Sequence, residues 1–109
     1  MKIELKEVKH SYVSDYDEVT RATLTITNEK HTIDVALELW SGIRFISLDG
    51  DYIEYAKKVV KINGQAMLAS KALESDIPSE VKEVIKRFAN AQMFGKNDFY
   101  DFVNRLVQS

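Results

Sequence analysis

The stretch ATLTITNEKHTIDVALEL, residues 22–39, alternates apolar and polar side chains on both sides of a short polar break. A period of two is what a strand with one buried face requires, and two such runs around a tight turn fold back as a hairpin. A two-residue loop at Glu29-Lys30 pairs Ile26 with Ile33, Leu24 with Val35 and Ala22 with Leu37, all on one face. The same register sets Arg21 across from Glu38 and Thr27 across from Thr32 on the other. A slip of one residue would turn every apolar side chain outward, so this register is strongly specified.

The flanking segments extend the pattern. Treating Ser41-Gly42 as the next tight turn pairs Leu37 with Ile46 and Val35 with Leu48, and sets Trp40 across from Ile43. The first segment, IELKEVKHSYV, alternates through Ile3 and Leu5, then changes phase to Val8, His10 and Tyr12. One extra residue bulging near Lys6-Glu7 accounts for the change. This segment is expected to pair beside the strand that begins the hairpin, with SDYDE, residues 14–18, as the polar connection.

From Asp51 onward Tyr52, Ile53, Ala56, Val59 and Val60 follow a helical stripe, with Asp51 and Glu54 spaced as a capping box and Asn63-Gly64 as a helix stop. A helix over 52–62 is the expectation. Asp49-Gly50 and Asn63-Gly64 are also strong hairpin dipeptides, and on that alternative residues 52–69 add strands instead. QAMLASKALES is a weaker helix candidate. Pro78 suits a first helical turn, and Val81, Val84, Ile85 and Phe88 form an apolar stripe on a helix running to about Gln92. Asn97 or Asp98 caps a last helix with Phe99, Phe102, Val103 and Leu106 inward. The class is α+β: an antiparallel meander of about four strands in the N-terminal half, then two to four helices packed on one face of the sheet. Residues 1–109 are expected to form one domain.

Several kinds of chemistry are excluded. The chain has no cysteine, which removes disulfides, zinc-thiolate sites and thiol nucleophiles and suits a reducing compartment, so a cytoplasmic location is expected. MKIELKEVKH lacks the apolar core of a signal peptide, and no apolar run approaches the roughly 20 residues of a membrane span. The net charge is −2, split between residues 1–55, with 6 Lys/Arg against 11 Asp/Glu, and residues 56–109, with 9 against 6. Lys57, Lys58 and Lys61 would line one helix face, but no nucleic-acid-binding motif accompanies them, and a nucleic-acid partner is not expected.

Catalytic equipment is equally sparse. His10 and His31 fall roughly 20 Å apart along the sheet and cannot share a metal. Asp49, Asp51 and Glu54 fail the calcium-loop spacing, which needs a bidentate glutamate where Val60 stands. Turn and cap roles explain them. The SEVK string at 79–82 lacks the partner motifs of a serine acyl-transfer site. No catalytic residue, metal or cofactor is assigned, and the chain is read as non-enzymatic.

The only tryptophan, Trp40, carries the functional expectation. In the register above Val19, Trp40, Ile43 and Phe45 form an apolar island on the face away from the core. Such an island is covered by the helical half, by a second copy in a homodimer, or by another protein. The lead expectation is a small interaction domain of accessory or inhibitor type that binds a protein partner through this island. The alternative is a module for an anionic metabolite or nucleotide. In it Tyr12, Tyr16, Tyr52, Tyr55 and Tyr100 line a pocket between sheet and helices, and Arg21, Arg44 or Lys57 reads the charge.

Overall fold

The computed structural model describes residues 1–108. Five strands form one antiparallel sheet in chain order: β1 (Lys2–Tyr12), β2 (Asp17–Thr27), β3 (Thr32–Phe45), β4 (Tyr52–Ile62) and β5 (Gln65–Leu68). Three helices follow, α1 (Ala69–Ala72), α2 (Ser79–Asn90) and α3 (Lys96–Gln108). The class is α+β, but the sheet has five strands and reaches Leu68, past the N-terminal half.

The central hairpin has the register that alternation predicts: Ala22 faces Leu37, Leu24 faces Val35, Ile26 faces Ile33 and Arg21 faces Glu38. β1 lies beside β2, with a shift between Leu5 and Glu7 that leaves Lys6 as the extra residue. Other expectations fail. Ser41-Gly42 is not a turn, because β3 runs straight through it to Phe45. Gly42 is small for another reason: a Cβ there would collide with the Tyr16 carbonyl and lie 2.5 Å from Asp17 Oδ1. The β1–β2 loop crosses the strand at this point, and the Ile43 N–H donates to the Tyr16 carbonyl over 3.2 Å. The pairings of Leu37 with Ile46 and Val35 with Leu48 are therefore replaced by Leu37 with Val60 and Val35 with Ile62.

Residues 52–62 are a strand, as the alternative from the hairpin dipeptides has it, not the helix that the apolar stripe favours, and Asp51 with Glu54 is not a capping box. Asp51 closes the turn after β3 instead: its carbonyl accepts from the Ile46 N–H over 2.8 Å, and its carboxylate accepts from the Ser47 hydroxyl over 3.1 Å. Asn63 and Gly64 have φ of 51° and 87°, the left-handed pair that a two-residue hairpin needs, so β4 turns directly into β5. The segment expected as a weak helix divides into β5 and the single turn of α1.

One face of the sheet carries the core. Ala22, Leu24, Ile26, Val35, Leu37, Leu39, Val60 and Ile62 meet Val81, Val84, Ile85 and Phe88 of α2 and Phe99, Val103 and Leu106 of α3. α3 lies against β1 and β2, α2 against β4, and α1 between α2 and the β4–β5 edge. The layer stops short of the sheet's far end, and the molecule is long, 56 × 26 × 22 Å. Along β3 the helix-facing residues pass from sealed at Val35, Leu37 and Leu39 to half-buried at Ile43 and 52% exposed at Phe45. No described helix is long and apolar enough to cross a membrane.

Candidate functional site

The bare end of the helix-facing side holds a concavity. It is an open groove of about 800 Å³ between the β1–β2 loop, the ends of β3 and β4, and Phe94 in the α2–α3 connection. Rings and carboxylates line it together: Tyr12, Tyr16, Tyr55 and Phe94 with Asp15, Asp17, Glu18 and Glu54. Tyr16 packs edge-on against Phe45 at 5.0 Å, and Phe45 in turn against Tyr52 at 6.4 Å. Tyr16, Phe45 and Tyr52 continue the apolar face of the core beyond the last helix and are each more than half exposed, whereas Tyr55 shares the helix-free face with Lys57 and lies under Arg44.

Its carboxylates fall into two kinds. Asp17 is fixed: Oδ1 accepts from the Tyr55 hydroxyl over 2.6 Å and Oδ2 from Ser14 Oγ over 2.7 Å, with Arg44 Nη1 3.4 Å away. The Tyr55 and Ser14 bonds stabilise the anion and hold Asp17 below the usual carboxylate range. The same bond, with partial burial, raises the Tyr55 phenol above its ordinary value. Glu18 is also held, accepting from Ser41 Oγ over 3.4 Å and lying 3.4 Å from His10 Nε2. Asp15 and Glu54 are exposed and have no hydrogen bond or ion pair among the described residues.

His10 is a strand residue, 14% exposed at its side chain and edge-on to Tyr12 at 5.0 Å. Its Nε2 is buried and makes no hydrogen bond, although Glu18 Oε2 lies 3.4 Å away. His10 and Ser41 both touch Glu18, one on each carboxylate oxygen. The imidazole therefore does not stand between hydroxyl and acid, the order that activates a serine. No group of three or more His, Asp or Glu among the described residues could hold a metal ion.

The expected Trp40 island is divided by the pairing of β3 with β4. Trp40 faces Val19 on one side, as expected, but Lys57 on the other, not Ile43. Val19 and Trp40 lie on the helix-free face, whereas Ile43 and Phe45 point to the helix side, where Ile43 lines the groove. A strand continuing through Ser41-Gly42 keeps its alternation, and that alone separates 40 from 43 and 45. Trp40 is half-buried in a polar network: its indole N–H donates to Glu38 Oε1 over 3.0 Å, and the Lys57 ammonium stands 5.3 Å above its ring. Glu38, 2% exposed, also takes the Arg21 Nε–H at 2.6 Å and lies 3.7 Å from Lys61 Nζ.

The ligand-pocket residues scatter in the same way. Tyr12 and Tyr55 line the groove and Tyr52 lies beside it, but Tyr100 is on α3, against the core. The three basic residues are already engaged: Arg21 binds Glu38, Arg44 stacks over the Tyr55 ring at 4.4 Å beside Asp17, and Lys57 covers Trp40. Lys57, Lys58 and Lys61 share no helix face. Lys57 and Lys61 lie on the helix-free side, while Lys58 reaches under α2 and donates to the carbonyls of Ala89 and Ala91. Sequence reasoning missed Glu54, Asp15 and Phe94 as groove residues. Only the spacing of aromatic and acidic residues in SDYDE and DYIEY hinted at the first two.

The chain matches no known family model, and no curated protein or solved structure is significantly similar to it.

Proposed function

We propose that the chain is a small, non-enzymatic interaction domain that takes a basic, partly apolar segment of a partner protein into the groove at the bare end of its sheet. One observation carries this: two unpaired carboxylates, Asp15 and Glu54, sit among exposed rings where the apolar face outruns its helices. Aromatic faces and free carboxylates together suit lysine and arginine side chains, whose stems pack on rings while their heads pair with acid. An anionic ligand is disfavoured in the groove, because each cation is already engaged: Arg21 by Glu38, Arg44 by Asp17 and the Tyr55 ring, and Lys57 over Trp40. The partner surface assigned from sequence to Val19, Trp40, Ile43 and Phe45 is retained only at Ile43 and Phe45. An absence of cysteine fits a cytoplasmic setting for such a domain.

The test is fluorescence anisotropy with a short labelled peptide of alternating lysine, arginine and leucine, and with its glutamate-for-basic counterpart. The basic peptide should bind and the acidic one should not. Glu54→Lys should weaken binding by about tenfold, as should raising salt from about 0.05 to 0.5 M, while Trp40→Ala leaves it unchanged. Equal binding of both peptides, or loss of binding on Trp40→Ala alone, would sink the assignment.

A further inference from the structure

β5 pairs only with the end of β4, from Val59 to Ile62, so Tyr52 to Lys58 form a seven-residue edge with no neighbouring strand among the described residues. The sheet's other edge is differently equipped. β1 carries a bulge and a row of charged side chains, Lys2, Glu4, Lys6, Glu7 and Lys9, both of which discourage strand addition. The free part of β4 has no bulge and no proline. Its two lysines are also withdrawn from guarding it: the Lys57 ammonium lies over Trp40, and the Lys58 ammonium is held by the α2 carbonyls.

We propose that this edge joins a second copy of the chain, β4 against β4 in antiparallel order, to make a ten-stranded sheet across a two-fold axis at Tyr55. The length of the edge selects the register. With Tyr55 opposite its symmetry mate, Tyr52 faces Lys58, Ile53 faces Lys57 and Glu54 faces Ala56, so all seven free residues of each copy are paired. A shift toward the C-terminus would drive the partner strand into β5, and a shift the other way would leave edge residues unpaired. The register also opposes no like charges, since Glu54 meets Ala56, Lys57 meets Ile53 and Lys58 meets Tyr52. Closed two-fold pairing also ends strand addition at this edge, where an open one would continue to invite it.

The chain contains no cysteine, so engineered thiols report the register cleanly. Native mass spectrometry should show a species of twice 12.5 kDa. Directly opposed residues have Cβ atoms about 5 Å apart, so Tyr55→Cys should give a disulfide-linked dimer under mild oxidation, while Lys9→Cys on the β1 edge should not. Ile53→Lys, at an exposed position, sets lysine against Lys57 in both halves and should weaken dimerisation by about tenfold or more without unfolding the monomer. A wild-type monomer at high micromolar concentration overturns the proposal, as does a dimer in which Tyr55→Cys fails to cross-link. Peptide binding in the groove of the Ile53→Lys monomer is a separate readout, so either assignment can fail without the other.

Discussion

The helix-facing side of β3 is built in two ways along one strand. From Ile33 to Leu39 it is aliphatic and lies beneath α2 and α3; past the buried Ser41, from Ile43 to Phe45, it opens to solvent and is bordered by Tyr16, Tyr52, Glu18 and Glu54. Backbone pairing continues unbroken through both stretches, with β2 reaching Gly42 and β4 reaching Phe45. The difference therefore lies in what covers the strands, not in the strands themselves. Where helices supply apolar partners, branched side chains close-pack; where none do, the positions carry rings and acids that tolerate water on one side. The face changes chemistry where its cover ends, and this is the physical basis for the proposed partner site there.

Substitutions at equivalent positions on the two stretches should separate them most widely. Leu37→Ala, in the sealed part, should cost about 3 kcal/mol of folding free energy in urea titrations, because it opens a cavity under α2 and α3. Phe45→Ala, in the bare part, should cost about 1 kcal/mol or less, despite removing a larger side chain. Comparable losses at both would abolish the distinction. On the helix-free side, Glu38→Ala should cost about 2 kcal/mol, since Arg21 and the Trp40 indole lose a buried acceptor, and the change should red-shift Trp40 emission as the ring loosens.

The boundary between the two stretches is marked by Lys58, whose ammonium closes the C-terminal end of α2 against the sheet. Burial lowers its proton affinity, yet the Ala89 and Ala91 carbonyls and the helix dipole reward the cation. Lys58→Met should cost about 1 kcal/mol and raise amide exchange at the last turn of α2. A stabilised Lys58→Met variant would mean that burial of the charge outweighs the cap. The smallest effect belongs to the Asp17–Tyr55 bond. Asp17, shifted down, contributes stability above the ordinary carboxylate range that is lost as pH falls through its lowered value. Tyr55, shifted up, contributes below the ordinary phenol value that is lost as pH rises past its raised one. Tyr55→Phe should therefore flatten the pH dependence of the urea midpoint at both ends and leave its centre least changed in slope.

The same contrast explains what could be read from the sequence. The hairpin, the β1 bulge and the inner faces of α2 and α3 were legible because each has one buried side, which imposes a period. β4 was not: its first seven residues lie beside the bare end, where neither face is sealed, so Tyr52, Ile53 and Ala56 carry no alternation and matched a helical stripe by chance. Gly42 was misread because a close approach by the β1–β2 loop and a tight turn both ask for glycine. The groove was legible only in fragments, since Tyr12, Asp15, Ile43, Glu54 and Phe94 come from four separate segments that only the assembled sheet and its helices bring together.

Backbone amide shifts of the labelled protein, followed during titration with the basic peptide at low salt, test the partner site most directly. Perturbations confined to Tyr12–Glu18, Ser41–Phe45 and Tyr52–Ala56, together with Phe94, and collapsing at high salt, are expected of that site. Perturbations centred on Arg21, Glu38 and Trp40 would contradict it, and so would a spectrum that the peptide leaves unmoved.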